Sequence, residues 1–413
     1  MLVERMGTQG DGIATWQGGP VYVPFAMPGD RVRAEIGVRR SSGREGRVID
    51  WLASGPGRAE PSCRHFGICG GCALQHLAVE AYRAVKLGGL QTALTRVGID
   101  PAIVGPLRMV PPARRRARLG LLRPKGPDLS AIVGFRERFR HALVDLRDCA
   151  VLEPALFALV EPLRRSAQQW LTPGGSAEVT LTRIDTGIDL LIEASQPPPL
   201  AALEALSALA EAHDLVRIVW RTGRDDTPVI ERRPARVVFS GVPVPFPPGA
   251  FLQASREAEA ALVTEVVAAL GDRRPVLDLY AGLGTFTFAM AAEGAVYAVE
   301  GDAAAVAALA QAASQLRGVT VERRDLDRNP LPAEALTGYA AALFDPPRAG
   351  ALRQTAELAA STLKTVVAVS CNPATFARDA ARLIAGGFRL EKILPVDQFV
   401  WTPHLELVAT FRR

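Results

Sequence analysis

The sequence lacks any uninterrupted apolar run of about 18 residues, which speaks against a membrane span. It starts Met1-Leu2-Val3-Glu4-Arg5, with no basic region leading into an apolar stretch. No secretory signal is read there, and the cytoplasm is the expected compartment. No internal repeat is visible, and low complexity is confined to Ala-rich stretches such as 303–313. Cysteine is scarce: five among 413 residues, at 63, 69, 72, 149 and 371. In a reducing compartment disulfides are not expected. Four of the five fall early and one stands alone late, which points to two separate uses. Nor does one sign of charge dominate. The 48 Lys and Arg face 43 Asp and Glu, and a net charge of +5 says little by itself about nucleic acid.

What is present is apolar material for more than one core, at 48% hydrophobic and 22% charged. At roughly 150 residues per domain, two or three domains are expected. Residues 1–55 read as short strands and tight turns, with Gly7, Gly10, Gly12, Gly18 and Gly19 between them, a pattern that suits a small five-stranded barrel. Residues 56–250 are mixed, with helices expected near 76–97, 154–170 and 200–213 and strands at 178–182 and 189–193. The Pro-rich stretch 243–249 marks a boundary. From 251 to 413, buried strands alternate with helices, which predicts a doubly wound, mostly parallel α/β sheet.

Charge is unevenly distributed. Residues 108–140 hold ten Lys or Arg against Asp128 and Glu137. A solvated face is the plain reading; a pair of phosphate-contacting strands is the sharper one, arginine being the better phosphate fork.

Asp278-Leu279-Tyr280-Ala281-Gly282-Leu283-Gly284-Thr285 follows a buried strand and opens a helix. Glycines there let backbone approach a ligand. Glu300 ends the next strand, where a carboxylate can accept from ribose hydroxyls. The turn lacks the three-glycine form of a dinucleotide pyrophosphate site, so an NAD enzyme is disfavoured.

Further on, Phe344-Asp345-Pro346-Pro347-Arg348 and Val369-Ser370-Cys371-Asn372-Pro373 each end a strand, and Thr402-Pro403-His404-Leu405-Glu406 precedes the last one. In an open α/β sheet ligands sit at the carboxyl ends of strands. Asp345, Cys371 and Glu406 are therefore expected on one rim. Pro373 suits a first helical position, which would put Cys371 near a helix N-terminus that favours thiolate. Cys63-x5-Cys69-x2-Cys72 with the distant Cys149 offers four thiolates, and the spacing leaves zinc and an iron–sulfur cubane both open.

Asp345-Pro346-Pro347-Arg348-Ala349-Gly350 and Ser370-Cys371-Asn372-Pro373-Ala374-Thr375 together resemble the bacterial RNA (uracil-5-)-methyltransferases, in the branch with an iron–sulfur cluster and an N-terminal TRAM domain. The resemblance covers essentially the whole chain. Phe251-Leu252-Gln253 is similar to that family's motif with a cofactor-binding glutamine. The likeness implies S-adenosylmethionine as cofactor, with Gln253, Tyr280, Thr285, Glu300, Asp325 and Asp345 at cofactor-site positions. It implies a [4Fe-4S] cluster on Cys63, Cys69, Cys72 and Cys149. It also implies an RNA substrate, 23S rRNA ahead of tRNA, with no DNA or membrane partner, and a monomer. The chemistry agrees with the residue types. C5 of uracil is a poor nucleophile until a thiol adds at C6, for which Cys371 is suited. A base must then remove the C5 proton, for which Glu406 is suited.

Three departures stand out. Ala281 replaces a usual cysteine. Phe399-Val400-Trp401-Thr402-Pro403-His404-Leu405-Glu406 keeps the family's last His and Glu but loses an earlier Pro and His. Ala113-Arg114-Arg115-Arg116 lacks the family's Tyr. Two other classes compete with this reading: a non-catalytic RNA-binding iron–sulfur protein, and an amino-methyltransferase. The second is disfavoured because Arg348 stands where such enzymes carry an aromatic residue.

Overall fold

The computed structural model describes every residue except 41, 42, 127 and 128, so Asp128 lies outside the described residues. The first five strands, Val3–Met6, Gly12–Trp16, Gly19–Val23, Arg31–Arg40 and Gly43–Ala53, form one sheet in the order first, second, third, fifth, fourth. Its two edges meet. Leu2 bridges Arg31, the Val3 N–H donates to the Asp30 carbonyl at 2.9 Å, and the Val32 N–H to that of Met1 at 2.9 Å. Alternation turns Val32 inward between exposed Arg31 and Arg33, and Val3, Val21, Val23, Ala26 and Val32 make a small core of their own.

The strands of 56–250, a segment expected as a single block, fall in three sheets: a central one, the C-terminal one, and the separate antiparallel pair Arg236–Phe239 and Val242–Pro245. The chain first passes through the cysteine loop, then through the helix Val79–Arg96 and the two-residue strand Arg108–Met109, and both join the C-terminal unit. Leu90 and Leu94 of that helix pack with Phe376, Leu383 and Ile393. The helix also buries Lys86, so its sequence shows no clean apolar stripe from which a partner could be read.

The central sheet runs in the order Asp225–Glu231, Arg217–Thr222, Gly187–Glu193, Ser176–Ile184, Arg116–Leu122, Ile132–Gly134. Ala117, Leu119 and Leu121 turn to a core shared with the helices Val160–Trp170 and Leu200–Ala212. The helix expected at 154–170 is in fact two, Pro154–Phe157 and Val160–Trp170. Pro162 explains the break: without an N–H, and with a ring that would strike the preceding turn, it is tolerated only near a helix start.

The C-terminal sheet has eight strands. In order across it lie Val319–Arg323, Val296–Glu300, Val276–Leu279, Ala341–Phe344, Thr365–Ser370, Glu406–Arg412, Arg389–Asp397 and Arg108–Met109. The first five are parallel, and Glu406–Arg412 is antiparallel to both of its neighbours. Val276–Leu279, Ala341–Phe344 and Thr365–Ser370 are buried at every position, as strands covered on both faces must be. Strand order reverses on either side of Val276–Leu279, which makes a crevice at the carboxyl ends. Among the described residues no helix is long and apolar enough to cross a membrane.

Candidate active site

Parallel strands deliver their C-terminal residues to one rim: Tyr280 after Leu279, Glu300, Asp345 after Phe344, and Cys371 after Ser370. The last strand runs the other way, so its first residue reaches the same rim. Ser370 pairs with Leu407, which sets Glu406 beside Cys371. Asn372 caps the helix Pro373–Ala385, its side chain accepting from the Ala374 N–H at 3.1 Å, with Pro373 in the first turn.

A chain of two amides links the two acids. Gln253 Nε2 donates to Asp345 Oδ2 at 3.4 Å. Gln398 Nε2 donates both to Gln253 Oε1 at 2.9 Å and to Glu406 Oε2 at 2.5 Å, and Gln398 Oε1 accepts from the Ala254 N–H at 3.0 Å. That backbone donor fixes which end of the Gln398 amide is oxygen, and the rest of the chain follows from it. Arg115 steadies the Gln253 end. It is fully buried, donates from Nε to the Gln253 carbonyl at 3.0 Å and pairs with Glu259.

Burial and like charge act together here. Burial pushes the Asp345 carboxyl up to about 7, against the pull of Gln253. Burial and the neighbouring Asp345 push Glu406 well above the carboxylate range, with Gln398 opposing. Burial, Glu406 and Asp345 push the Cys371 thiol up to about 11, partly offset by Arg348. The helix start that was expected to favour thiolate is where it was expected, but burial and the two acids outweigh it and the resting thiol keeps its proton.

Two loops frame this cluster. The 345–350 loop lies over the capped helix. Asn372 Nδ2 and Thr375 Oγ1 donate to the Arg348 carbonyl at 2.9 and 3.2 Å, and the Ala351 N–H donates to Asp379 at 2.8 Å. Gly350 has φ +74°, and a Cβ there would stand 2.5 Å from Asp379 Oδ2, so only glycine fits. The 398–405 loop, which departs from the family pattern, is tied to the helix Val79–Arg96. Lys86 Nζ donates to the carbonyls of Phe399, at 3.1 Å, and His404, and pairs with Asp397 at 2.6 Å. Both charged groups are fully buried, and removing either partner would cost about 3–5 kcal/mol. The Tyr82 hydroxyl donates to Asp397 and accepts from the Trp401 N–H at 2.9 Å. Arg348 meets His404 at 2.7 Å, and burial and Arg348 push that imidazole down to about 4.

In the glycine turn, the Gly282 N–H donates to Glu300 Oε2 at 2.8 Å and no atom would meet a Cβ on Gly282, which leaves open space beside the backbone. Glu300 also accepts from the Gly301 and Asp302 N–H groups, each at 2.7 Å. Tyr280 takes φ +63°, unusual without glycine, and its hydroxyl donates to Asp327 at 3.1 Å. Asp325 accepts from the Asp327 N–H at 3.1 Å. Thr285 lies in the turn ahead of the helix Thr287–Ala291.

The basic stretch is largely engaged within the protein. Arg115 is inaccessible, Arg118 pairs with Glu178 and Glu193, Arg136 with Glu178, and Arg138 with Asp11. Arg114 differs: its guanidinium donates to no acceptor among the described residues. It faces a groove of about 570 Å³ that Gln9, Gly71, Arg138, Phe399 and His404 also line. On its other side it borders a small cavity of about 40 Å³ lined by Cys63, Cys69, Cys72 and Cys149 with Phe66 and Phe135. All five cysteines are unpaired. Burial pushes the Cys72 thiol up to about 12 and raises Cys69 and Cys149. Among the described residues no group of three or more His, Cys, Asp or Glu side chains is arranged to hold a single metal ion.

Gln398, Lys86, Asp397 and Arg115 were not singled out from the sequence. Gln398 left one usable sign, a polar residue at the end of a strand just ahead of the loop that leads to Glu406.

The glycine turn, the acid at the second strand end and the reversed strand order define a class of protein, the α/β methyltransferases that use S-adenosylmethionine. Known proteins narrow it. A family model described as tRNA (Uracil-5-)-methyltransferase matches residues 245–413. An uncharacterised RNA methyltransferase of Caulobacter vibrioides is 41% identical, covering 100% of this chain and 99% of that one. The 23S rRNA (uracil(1939)-C(5))-methyltransferase RlmD of Chromohalobacter salexigens is 35% identical, covering 100% of this chain and 89% of its own. The fold matches the Pyrococcus abyssi tRNA (uracil-54, C5)-methyltransferase, solved with S-adenosyl-L-homocysteine, at TM-score 0.75 and 24% identity, covering 100% and 99% of the two chains. This chain belongs to the RNA uracil-5-methyltransferase family, whose members take the methyl group from S-adenosylmethionine.

Proposed function

We propose that the protein methylates C5 of a uridine in 23S rRNA through a covalent bond between Cys371 and C6 of the base. The observation that carries the mechanism is the confinement of Cys371, Glu406 and Asp345 to one rim, where Asp345 raises the proton affinity of Glu406 and both acids raise that of Cys371. Cys371 gives its proton to solvent and the thiolate sulfur bonds to C6, moving the ring π electrons onto the C4 oxygen as an enolate so that C5 becomes nucleophilic. Bound S-adenosylmethionine supplies an electrophilic methyl group. With the methyl on C5, Glu406 takes the C5 proton, the C5–C6 double bond reforms and the C6–S bond breaks, returning the thiolate. Gln253, Tyr280, Thr285, Glu300, Asp325 and Asp345 hold the cofactor, with Glu300 on the ribose.

The 23S rRNA target rests on the likeness to RlmD across the whole chain. Transfer RNA is the second reading, favoured by the description of the family model. Mapping 5-methyluridine in ribosomal and transfer RNA from cells lacking the protein separates them: one uridine lost from 23S rRNA is expected, and loss confined to tRNA would reverse the assignment.

Residues 1–55 act as a TRAM-like RNA-binding unit, 56–250 as the cluster and RNA-facing region apart from Val79–Arg96 and Arg108–Met109, which pack with 251–413, the methyltransferase domain, in a cytoplasmic monomer. Cys63, Cys69, Cys72 and Cys149 hold a [4Fe-4S] cluster. Four thiols around one cavity fit its donor set, and a cubane spreads its irons over four corners, so its thiolates need not converge on a single point. Its role is structural, joining the Cys149 segment to the Cys63 loop. Protein purified without oxygen should carry about four irons and four sulfides per chain by chemical assay; iron-free protein, or a single zinc, would remove the cluster from the account.

The groove beside Arg114 receives the RNA backbone next to the target. Arg114→Ala should weaken RNA binding several-fold and lower the salt slope by about one, because one phosphate contact is lost. Filter binding at several salt concentrations measures both.

A further inference from the structure

We infer that Gln398 is the positioning residue of the proton-removing carboxyl, holding Glu406 through an amide chain that ends on the cofactor-side acid. The inference rests on the role proposed for Glu406. Gln398 is buried, and its carbonyl oxygen is claimed by the Ala254 N–H at 3.0 Å. Its two amide hydrogens then have fixed directions, one to Gln253 and one to Glu406 Oε2. Donation to Oε2 does two things. It locks the carboxyl plane, and it leaves Oε1 as the oxygen free to take a proton. It also opposes the burial and the Asp345 charge that raise the proton affinity of Glu406. Without that donor, Glu406 would hold its own proton more tightly and be a carboxylate less often when C5 must be deprotonated. Because Gln253 sits between Gln398 and Asp345, a displacement of Asp345 would be passed to Glu406 through three hydrogen bonds.

A purely structural glutamine would affect all steps alike. A positioning one acts after methyl transfer, when the C5 proton leaves. Gln398→Met keeps the volume and removes both donors. Single-turnover assays on the full-length protein with its RNA should show methyl transfer within about threefold of wild type. Release of product should slow by roughly 10- to 100-fold, and an adduct that survives denaturing gels should accumulate. Gln398→Glu puts a second acid against Glu406, so the acidic limb of the release step should move to higher pH by about one unit or more. Equal slowing of methyl transfer and release in Gln398→Met, or an unmoved pH limb in Gln398→Glu, would overturn the inference. If Gln398→Met does not fold, the pH limb of Gln398→Glu decides alone. Glu406→Gln run in parallel separates the two ideas. If it yields no adduct, the role of Glu406 fails; if it yields adduct and neither Gln398 variant behaves as stated, only the role of Gln398 fails.

Discussion

Replacing Cys371 with alanine is expected to abolish methylation, with a loss of turnover of about 10⁴-fold or more, while cofactor binding stays within a few-fold of wild type. The expectation follows from where the thiol stands. It ends the Thr365–Ser370 strand, away from the glycine turn and Glu300, so its removal leaves that turn intact. Equilibrium binding of S-adenosylmethionine and methyl incorporation from labelled cofactor measure the two sides. The same environment sets a pH dependence. Burial, Glu406 and Asp345 push the thiol up to about 11, so below that value the thiolate fraction grows about tenfold per pH unit. The single-turnover rate of adduct formation in wild type should therefore rise from pH 6 towards pH 9. A flat profile would mean that bound RNA, and not solvent pH, sets the charge of Cys371.

Glu406→Gln should bind RNA and transfer the methyl group but fail to release the product, with turnover down by roughly 10²- to 10⁴-fold. Stability should not suffer. The raised folded-state affinity of Glu406 for its proton means that wild type loses stability as pH rises above the ordinary carboxyl value, because the folded chain holds on to a proton that the unfolded chain gives up. Glutamine resembles the protonated form and carries no such penalty. At pH 7–8 the variant should therefore melt at or above the wild-type temperature. A calorimetric scan beside a denaturing gel checks both: a variant that melts normally and carries RNA bound through the gel agrees with the account.

Asp345, Cys371, Glu406 and Glu300 were legible in the sequence because each belongs to a short local pattern at a strand end, and the α/β alternation says where strand ends go. Residues that act across long separations were not. Lys86 reaches carbonyls 313 and 318 positions away, and nothing near it in the chain marks it as the tie of the Glu406 loop. Arg115 reads as one more cation in a basic run, and its burial against Gln253 and Glu259 is set by tertiary packing. The division of 56–250 turns on Arg108–Met109, a two-residue strand too short to show any periodicity. Net charge was visible, but partners were not: Glu178 pairs with both Arg118 and Arg136 from a strand that looks unremarkable on its own. The altered 399–406 sequence carries its compensation elsewhere, since the Trp401 carbonyl accepts from Ala73 and Leu74, immediately after Cys72. That contact ties the cysteine loop directly to the loop that leads to Glu406.

The most direct test is to incubate Glu406→Gln with its RNA and S-adenosylmethionine, digest the product and sequence the cross-linked peptide by mass spectrometry. A methylated uridine attached to the peptide containing Ser370-Cys371-Asn372 is expected, and no such species when Cys371 is also replaced by alanine. An adduct on any other residue, or one that persists without Cys371, would contradict the role of Cys371 as nucleophile.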